Sequence, residues 1–442
     1  MVEVARKLPL PEGTYAVGAG IAIAGLTGYI FLSLSFRQLT TDTSKVDYTA
    51  IFGLWVILYT ISPGFFQPLE QEVGRALAHR RAQGIGGAPL VKRAATLGGV
   101  LAVLALVGCI AAYVPLTDRV FNDDAVLFGC LLIGIVSYYV AYITRGTLSG
   151  NGRFAPYGTM LGAEGVVRLV VVIALVIAGS TAPGAYGLVL VLPVIAALLI
   201  SLRGQHGLLL PGPTAPYSEL SSALGYLFIG SLLCQALSYA GYIAAIVLHN
   251  SQQENLVGDL AVGILIARIP ILGFQAVQAA LLPKLARLAG AGRDDEFRTS
   301  LRQLVMIVLG VGVIGVVGGF AAGHAVGQLL FGEKFTLSNQ EVGILALGSG
   351  AFILALTLAQ ALIALRSYAA ATWSWVVGAI GAIAGAFTAH ELILRSSLSY
   401  AIGCSCAAVV MWICLAVRLR GGIPVGTMER LTMDLEHEPL EI

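Results

Sequence analysis

Residues 256–302 read LVGDLAVGILIARIPILGFQAVQAALLPKLARLAGAGRDDEFRTSLR. An apolar run long enough to cross a bilayer holds one arginine, Arg268, near its middle, with Pro270 two residues on. Gln275, Gln278 and Pro283 follow, and the run closes in a basic, polar turn. A guanidinium at bilayer depth costs from ~2.5 to more than ~10 kcal/mol, depending on how far water and snorkelling relieve it. It faces a polar interior rather than lipid, so this helix is expected to line a cavity through the membrane.

The rest of the chain fits that setting. Of 442 residues 57% are hydrophobic and 11% charged, against about 25% charged in a soluble domain. Mean hydropathy is +0.86. The class is therefore all-α integral membrane. A net charge of +2 and the lack of any basic run interleaved with aromatics leave nucleic acid out. The six cysteines (Cys109, Cys130, Cys234, Cys404, Cys406 and Cys414) lie in apolar segments and read as small buried hydrophobes. Neither a disulfide framework nor a metal site is implied. No histidine pair has ligand spacing, and no cofactor is expected.

At about 20 apolar residues per span, twelve spans are read. The first six are Tyr15–Phe36, Tyr48–Leu69, Leu90–Tyr113, Ala125–Leu148, Phe154–Ala178 and Ala185–Leu202. The second six are Ala223–Leu248, Leu256–Leu282, Leu301–Ala322, Val342–Leu365, Ala369–Ala389 and Leu398–Val417. The first run is longer than the core of a cleaved signal and is expected to be retained. With the N-terminus inside, only Arg37, Lys45, Arg119, Lys334 and Arg395 fall in outer loops, while Arg168 and Arg268 fall within spans. All other lysines and arginines, including Arg80, Arg145 and Arg153, fall on the cytoplasmic side, so both termini are expected there.

Pro211, Pro213 and Pro216 interrupt the chain midway. The expected organisation is an N-terminal lobe at 1–202, a cytoplasmic linker at 203–222, a C-terminal lobe at 223–420 and a cytoplasmic tail at 421–442. The second and eighth spans share a pattern: Gly64-Phe65 precedes Arg75 as Gly273-Phe274 precedes Lys284. Both stretches carry glutamine and proline and end in a basic turn, which points to a parallel duplication. Gly315, Gly319 and Gly323, and Gly381 with Gly385, recur every fourth residue and suit close helix packing. Trp373, Trp375 and Trp412 are expected as interfacial anchors.

Few polar groups lie at depth. Glu164 and Arg168 are four apart with the acid first, the better order for an intrahelical pair. Either they neutralise each other, or Glu164 positions an Arg168 turned into the cavity. Arg268 has no acid within four residues; it meets a carboxylate on another helix, such as Glu164, or an anionic substrate. Gln67, Glu70, Gln71 and Glu72 crowd the cytoplasmic end of the second span after a Pro63-Gly64 break. They form a helix end meeting water, a cavity mouth, or, at Glu70, an ion-coupling carboxylate. Gln235, Tyr239, Tyr242, Gln275, Gln278 and Gln360 are candidate sugar contacts or interhelical hydrogen bonds. A Gly-x-x-x-x-Gly-Lys phosphate loop is absent, as is a Ser/His/Asp constellation, so no catalytic residue is assigned.

The eighth-span stretch ARIPILGFQAVQAALLPKLARLAGAGR (Ala267 to Arg293) resembles the multidrug/oligosaccharidyl-lipid/polysaccharide (MOP) superfamily, and within it the O-antigen type polysaccharide flippases. LLFGEKF (Leu329 to Phe335) resembles the family's Leu-Phe-Gly turn. GFFQPLEQEVGRALAHRRAQG (Gly64 to Gly84) is similar to the second-span end of actinobacterial members. The resemblance implies a MATE-like pair of six-helix lobes rocking about a central cavity in a bacterial plasma membrane. It implies a polyprenyl-diphosphate-linked glycan as cargo, moved to the outer leaflet for surface polysaccharide synthesis. Arg268, and Arg168 as a second cation, would then neutralise the diphosphate. The protein would be a monomer among membrane lipids, associating with polysaccharide polymerase machinery, and not an enzyme.

Rival readings stay open. A cation-coupled multidrug exporter of the same superfamily needs a buried carboxylate, and the first span has none. A lipid-linked peptidoglycan precursor flippase typically carries two further helices. A membrane glycosyltransferase or polymerase would present catalytic groups on a longer outer loop, and a scaffold would have no use for an arginine at depth.

Overall fold

The structure is a computed structural model that describes residues 14–41, 44–220, 224–250, 252–271, 285, 288 and 294–420. Among these residues every long element is a helix and there is no strand. In chain order they are α1 (Thr14–Leu39), α2 (Val46–Ala82), α3 (Ala88–Ala111), the short α4 (Tyr113–Arg119), α5 (Ala125–Gly150), α6 (Phe154–Ile177) and α7 (Pro183–Leu202). Then follow α8 (Leu224–Ser238), α9 (Ala240–Leu248), α10 (Glu254–Ala267), α11 (Asp294–Phe331), α12 (Asn339–Ala364), α13 (Tyr368–Gly385) and α14 (Leu392–Arg420).

The helices start where the sequence supplies caps. The Asp124 carboxylate accepts from Val126 N at 2.8 Å and Leu127 N at 3.2 Å to open α5. Ser338 and Glu341 form a reciprocal capping box on α12. Proline sits in the first turn of α3 and of α7, where no intrahelical N–H bond is lost. The break expected at Pro63-Gly64 does not occur: α2 runs unbroken through Pro63 and Pro68. In hydrocarbon no water competes for the backbone, and neighbouring groups take up freed carbonyls, so a proline is tolerated.

Ten of these helices are long and apolar enough to cross a membrane, and α8 and α9, bent by 67°, reach that length and apolarity together, as a broken span or a re-entrant loop. The remaining expected span, Leu256–Leu282, is helical as α10, and its second part, with Gln275 and Gln278, lies outside the described residues. Leu104 and Ile110 on α3 and Ile314 on α11 are each more than half exposed. Such rows of bare aliphatic side chains suit hydrocarbon, not water. The chain is a multi-pass membrane protein.

Packing divides the chain into two compact units, Met1–Ser231 and Leu232–Ile442. In the first, α1 lies along α6, α2 along α5, and α7 on both α5 and α6, with α3 against α2 and α5. The second repeats these neighbours with α10 on α12, α14 on α12 and α13, and α11 against α10 and α12. That is the parallel pseudo-repeat. Gly158 explains the α1–α6 fit, since a Cβ there would fall 2.3 Å from the Ala16 backbone. The expected small-residue stripe does the same on α11, where a Cβ on Gly319 would meet Gly343 Cα at 3.1 Å. Trp375 is not an interfacial anchor; it is buried against Phe352, while Trp373 and Trp412 are exposed.

Residues 203–220 are packed onto the first unit rather than left as a loose linker. Ala215, Leu220 and Leu224 join a core with Leu69, Val73, Leu77 and Leu90. Arg80, buried at the end of α2, uses all five of its N–H groups there. It donates to Glu219 Oε2 at 2.6 Å and Oε1 at 2.8 Å, to Gly86 O and Pro213 O at 3.0 Å, and to Thr214 O at 3.3 Å. Arg93 lies over Tyr217 with 4.3 Å from guanidinium carbon to ring centre. The Arg80 hydrogen bond holds the Glu219 carboxyl below its ordinary value.

Arg80→Met should destabilise the purified protein by on the order of 2–3 kcal/mol, less than a fully buried pair because Glu219 keeps some solvent contact. An unchanged thermal melt would contradict that. Because Glu219 titrates lower when folded, its contribution is complete above about pH 4.5 and is lost as pH falls through the lowered value. Melting of the wild type should therefore fall more steeply than that of Glu219→Gln below pH 4.5, and parallel curves would refute the linkage.

Candidate functional site

The first unit holds a buried charge cluster at the meeting of α2, α5 and α6. Glu164 and Arg168 are one turn apart on α6, so their side chains share a face. Arg168 Nη2 donates to Glu164 Oε1 at 2.6 Å, and Arg145 Nη2 on α5 donates to Oε2 at 2.8 Å. Tyr138 OH donates to the same Oε1 at 3.1 Å and lies 3.2 Å from Tyr59 OH, while Arg168 also donates to Tyr59 OH at 3.1 Å. Tyr59 stacks on Trp55 with ring centres 4.2 Å apart. Arg168 is 1% exposed and Glu164 4%.

Two guanidiniums on one carboxylate would leave a positive charge in a dry interior. A second acid offsets it: Glu70, buried on α2, accepts from Tyr157 OH at 2.6 Å and lies within electrostatic reach of Arg145. The cluster is formally neutral, as a low-dielectric site requires. Of the two expectations for Glu164 and Arg168, mutual pairing is what the structure holds. Arg145, expected toward the cytoplasmic end of the Ala125–Leu148 span, is buried on α5.

The second unit carries its polar centre where two helices break. The α8–α9 pair bends at Tyr239, and α10 ends at Ala267 with Arg268 as its C-cap. Fourteen residues of α10 span about 21 Å, less than a bilayer core of about 30 Å. Arg268 Nη1 donates to Ser238 O at 3.2 Å, and its guanidinium carbon sits 4.1 Å from the centre of the Tyr239 ring. A cation there suits the negative end of α8. Arg268 is half-buried, and both oxygens of Glu164 are engaged by Arg168, Arg145 and Tyr138.

Around this break lie half-buried Gln235 on α8 and buried Tyr242 on α9. Gln360 is half-buried on α12, and Gln67 is exposed on α2. Glu72 pairs with Arg75. Tyr59 precedes Gly64 by five residues, as Arg268 precedes Gly273. The duplicated second span thus puts a polar centre at the same position in each half, a tyrosine in one and an arginine in the other.

Sequence reading missed Arg145, Tyr138, Tyr59, Trp55 and Tyr157. A signal existed for the α5 group, since Tyr138, Tyr142 and Arg145 follow the spacing of one helix face. Asp259, buried on α10, was also passed over. Among the described residues no three His, Cys, Asp or Glu side chains gather as a metal site would require.

Glu164→Gln leaves two buried guanidiniums facing each other and should cost about 3–5 kcal/mol. Arg145→Gln leaves the acid paired with Arg168 and should cost less. Thermal unfolding of both variants in detergent at neutral pH checks the order, and the reverse order would refute this account of the cluster.

No protein-family model matches the chain. An uncharacterized protein of Mycobacterium tuberculosis is 22% identical over 375 residues, covering 83% of each chain. A second from that organism is 26% identical over 324 residues, 71% of this chain and 70% of its own. Among solved structures, a mutant of the Vibrio cholerae MATE transporter VcmN is 16% identical with TM-score 0.65, covering 92% of this chain and 96% of that one. The inward-facing conformation of a multidrug resistance MATE family transporter of the MOP superfamily is 13% identical with TM-score 0.66, covering 94% and 96%. The chain has the all-α, multi-pass fold of MATE transporters of the MOP superfamily.

Proposed function

We propose that this protein is a membrane transporter that carries a polyprenyl-diphosphate-linked oligosaccharide from the cytoplasmic to the outer leaflet of a bacterial plasma membrane. The observation that carries the reading is Arg268: a half-buried cation in an apolar segment, set at the bend of α8 and α9 and the end of α10. Broken helices at membrane depth expose backbone dipoles and are where transporters place their ligands. An arginine there offers a planar fork of donors to a diphosphate, and Gln235, Tyr239 and Tyr242 offer hydrogen-bonding groups to sugars. Arg168 is committed to Glu164 and serves the frame of the first half, not the cargo. Both termini are cytoplasmic in this reading, with the protein a monomer beside the polymerase machinery.

A cation-coupled multidrug exporter is the second reading. The names of the structural neighbours favour it, and buried Glu70, hydrogen-bonded to Tyr157, would be its coupling carboxylate. Against it, α1 contains no Asp or Glu.

Purified protein in liposomes should make a polyprenyl-diphosphate-linked oligosaccharide, supplied on one face, accessible to a lectin on the other. Arg268→Ala should slow this by about 10- to 100-fold, the worth of one charge-assisted contact, and Arg268→Lys should retain part of it. Full translocation by Arg268→Ala refutes the assignment. Proton- or sodium-driven ethidium efflux, lost in Glu70→Gln and unaffected by the glycolipid, would establish the exporter instead.

A further inference from the structure

The two halves repeat each other's neighbours except at one place. In the first unit α1 packs along α6. Its counterpart in the second is bent at Tyr239, and α9 leans onto α14 and α10 rather than along α13. Between α9 and α13 this leaves a crevice of about 310 Å³, walled by Ala240, Ala244, Val247, Ala382, Ile383 and Phe387. Its lining is almost wholly apolar. The Ser399 hydroxyl at its edge is already spent on Ala382 O at 2.8 Å. The same crevice ends at a cation. Arg395, one turn before Ser399 on α14, donates its Nε–H to Ala386 O at 2.9 Å and lies 5.8 Å from the centre of the Phe387 ring. Ala386 and Phe387 both line the crevice. Among the described residues the two terminal nitrogens of Arg395 have no protein acceptor, and Glu391, one turn earlier, makes no ion pair with it.

We propose that this crevice binds the first isoprene units of a polyisoprenyl phosphate lipid, with Arg395 holding its phosphate. The proposal rests on the transport reading above and adds a second contact for the lipid, on the face of one half and separate from Arg268. An apolar slot capped by a guanidinium complements an amphiphile with one tail and an anionic end. In a polyisoprenyl phosphate the phosphate is joined directly to the tail, so a tail seated in the slot brings it to the slot's end. In a glycerophospholipid a glycerol and a second chain intervene. The volume is at the lower end of small-molecule sites, roughly 300–1,000 Å³, enough for the start of a tail whose remainder stays in the bilayer. On the proposed orientation the loop after α9 and the loop after α13 are external, so the slot would receive the carrier in the outer leaflet.

The test uses the full-length protein in nanodiscs with a polyisoprenyl diphosphate bearing a diazirine in its first isoprene unit. Irradiation should label α9 and α13. Labelling should fall about tenfold in Arg395→Gln, which removes the charge, and in Ala382→Phe, which fills the slot. Unlabelled polyisoprenyl diphosphate should compete, and phosphatidylglycerol should not. Labelling unchanged in both variants, or equal competition by phosphatidylglycerol, overturns the proposal. The lectin assay on the same samples separates the two readings. Wild-type translocation with labelling unchanged in both variants removes the crevice alone. Labelling as expected without any glycolipid translocation removes the transport reading and leaves the lipid site.

Discussion

Ionised groups inside a bilayer protein must find their counter-charges within the protein, and the first half is assembled around one such settlement. Glu164 receives Arg168 from its own helix, Arg145 from α5 and the Tyr138 hydroxyl, while Tyr59 and Trp55 bring α2 against the same point. Removal of Glu164 would leave two guanidiniums without their shared counter-charge in a medium that cannot solvate them. Three helices distant in sequence are thereby fixed in register. Pairs of this kind are weak evidence of net stability but strong constraints on geometry. The first half is therefore built for rigidity.

The second half is built differently at the same position. There the duplicated span has an arginine where the first has Tyr59, and the helix preceding it is bent rather than straight. Arg268 meets a carbonyl and an aromatic face. A guanidinium so placed keeps a planar fork of donors. Its position beside two broken helices is the chief reason for placing the cargo contact in the second half.

Much of the fold was legible because hydrocarbon imposes long apolar runs that are hard to mistake. The Glu164–Arg168 pair was legible because its partners are one helical turn apart. Arg145 was not: it lies near the end of an apolar run, and its partner Glu164 belongs to another helix. Tyr59 and Tyr138 join the cluster across 109 and 26 residues of chain, a distance no local pattern encodes. At Arg268 the nearby Pro270 hinted at a break, but its partner Ser238 belongs to another span. The Pro63-Gly64 reading erred by applying rules for helices in water to a helix shielded from it.

The clasp at Arg80 changes where this polypeptide can be cut or extended. A proline- and glycine-rich stretch between two halves is ordinarily the natural site for an inserted reporter, or for dividing a gene into co-expressed pieces. Here Gly86, Pro213, Thr214 and Glu219 all converge on one guanidinium. The stretch up to residue 220 thus travels with the N-terminal fragment. A division at the prolines would strip that fragment of its own clasp, whereas one placed after residue 220 would leave it whole.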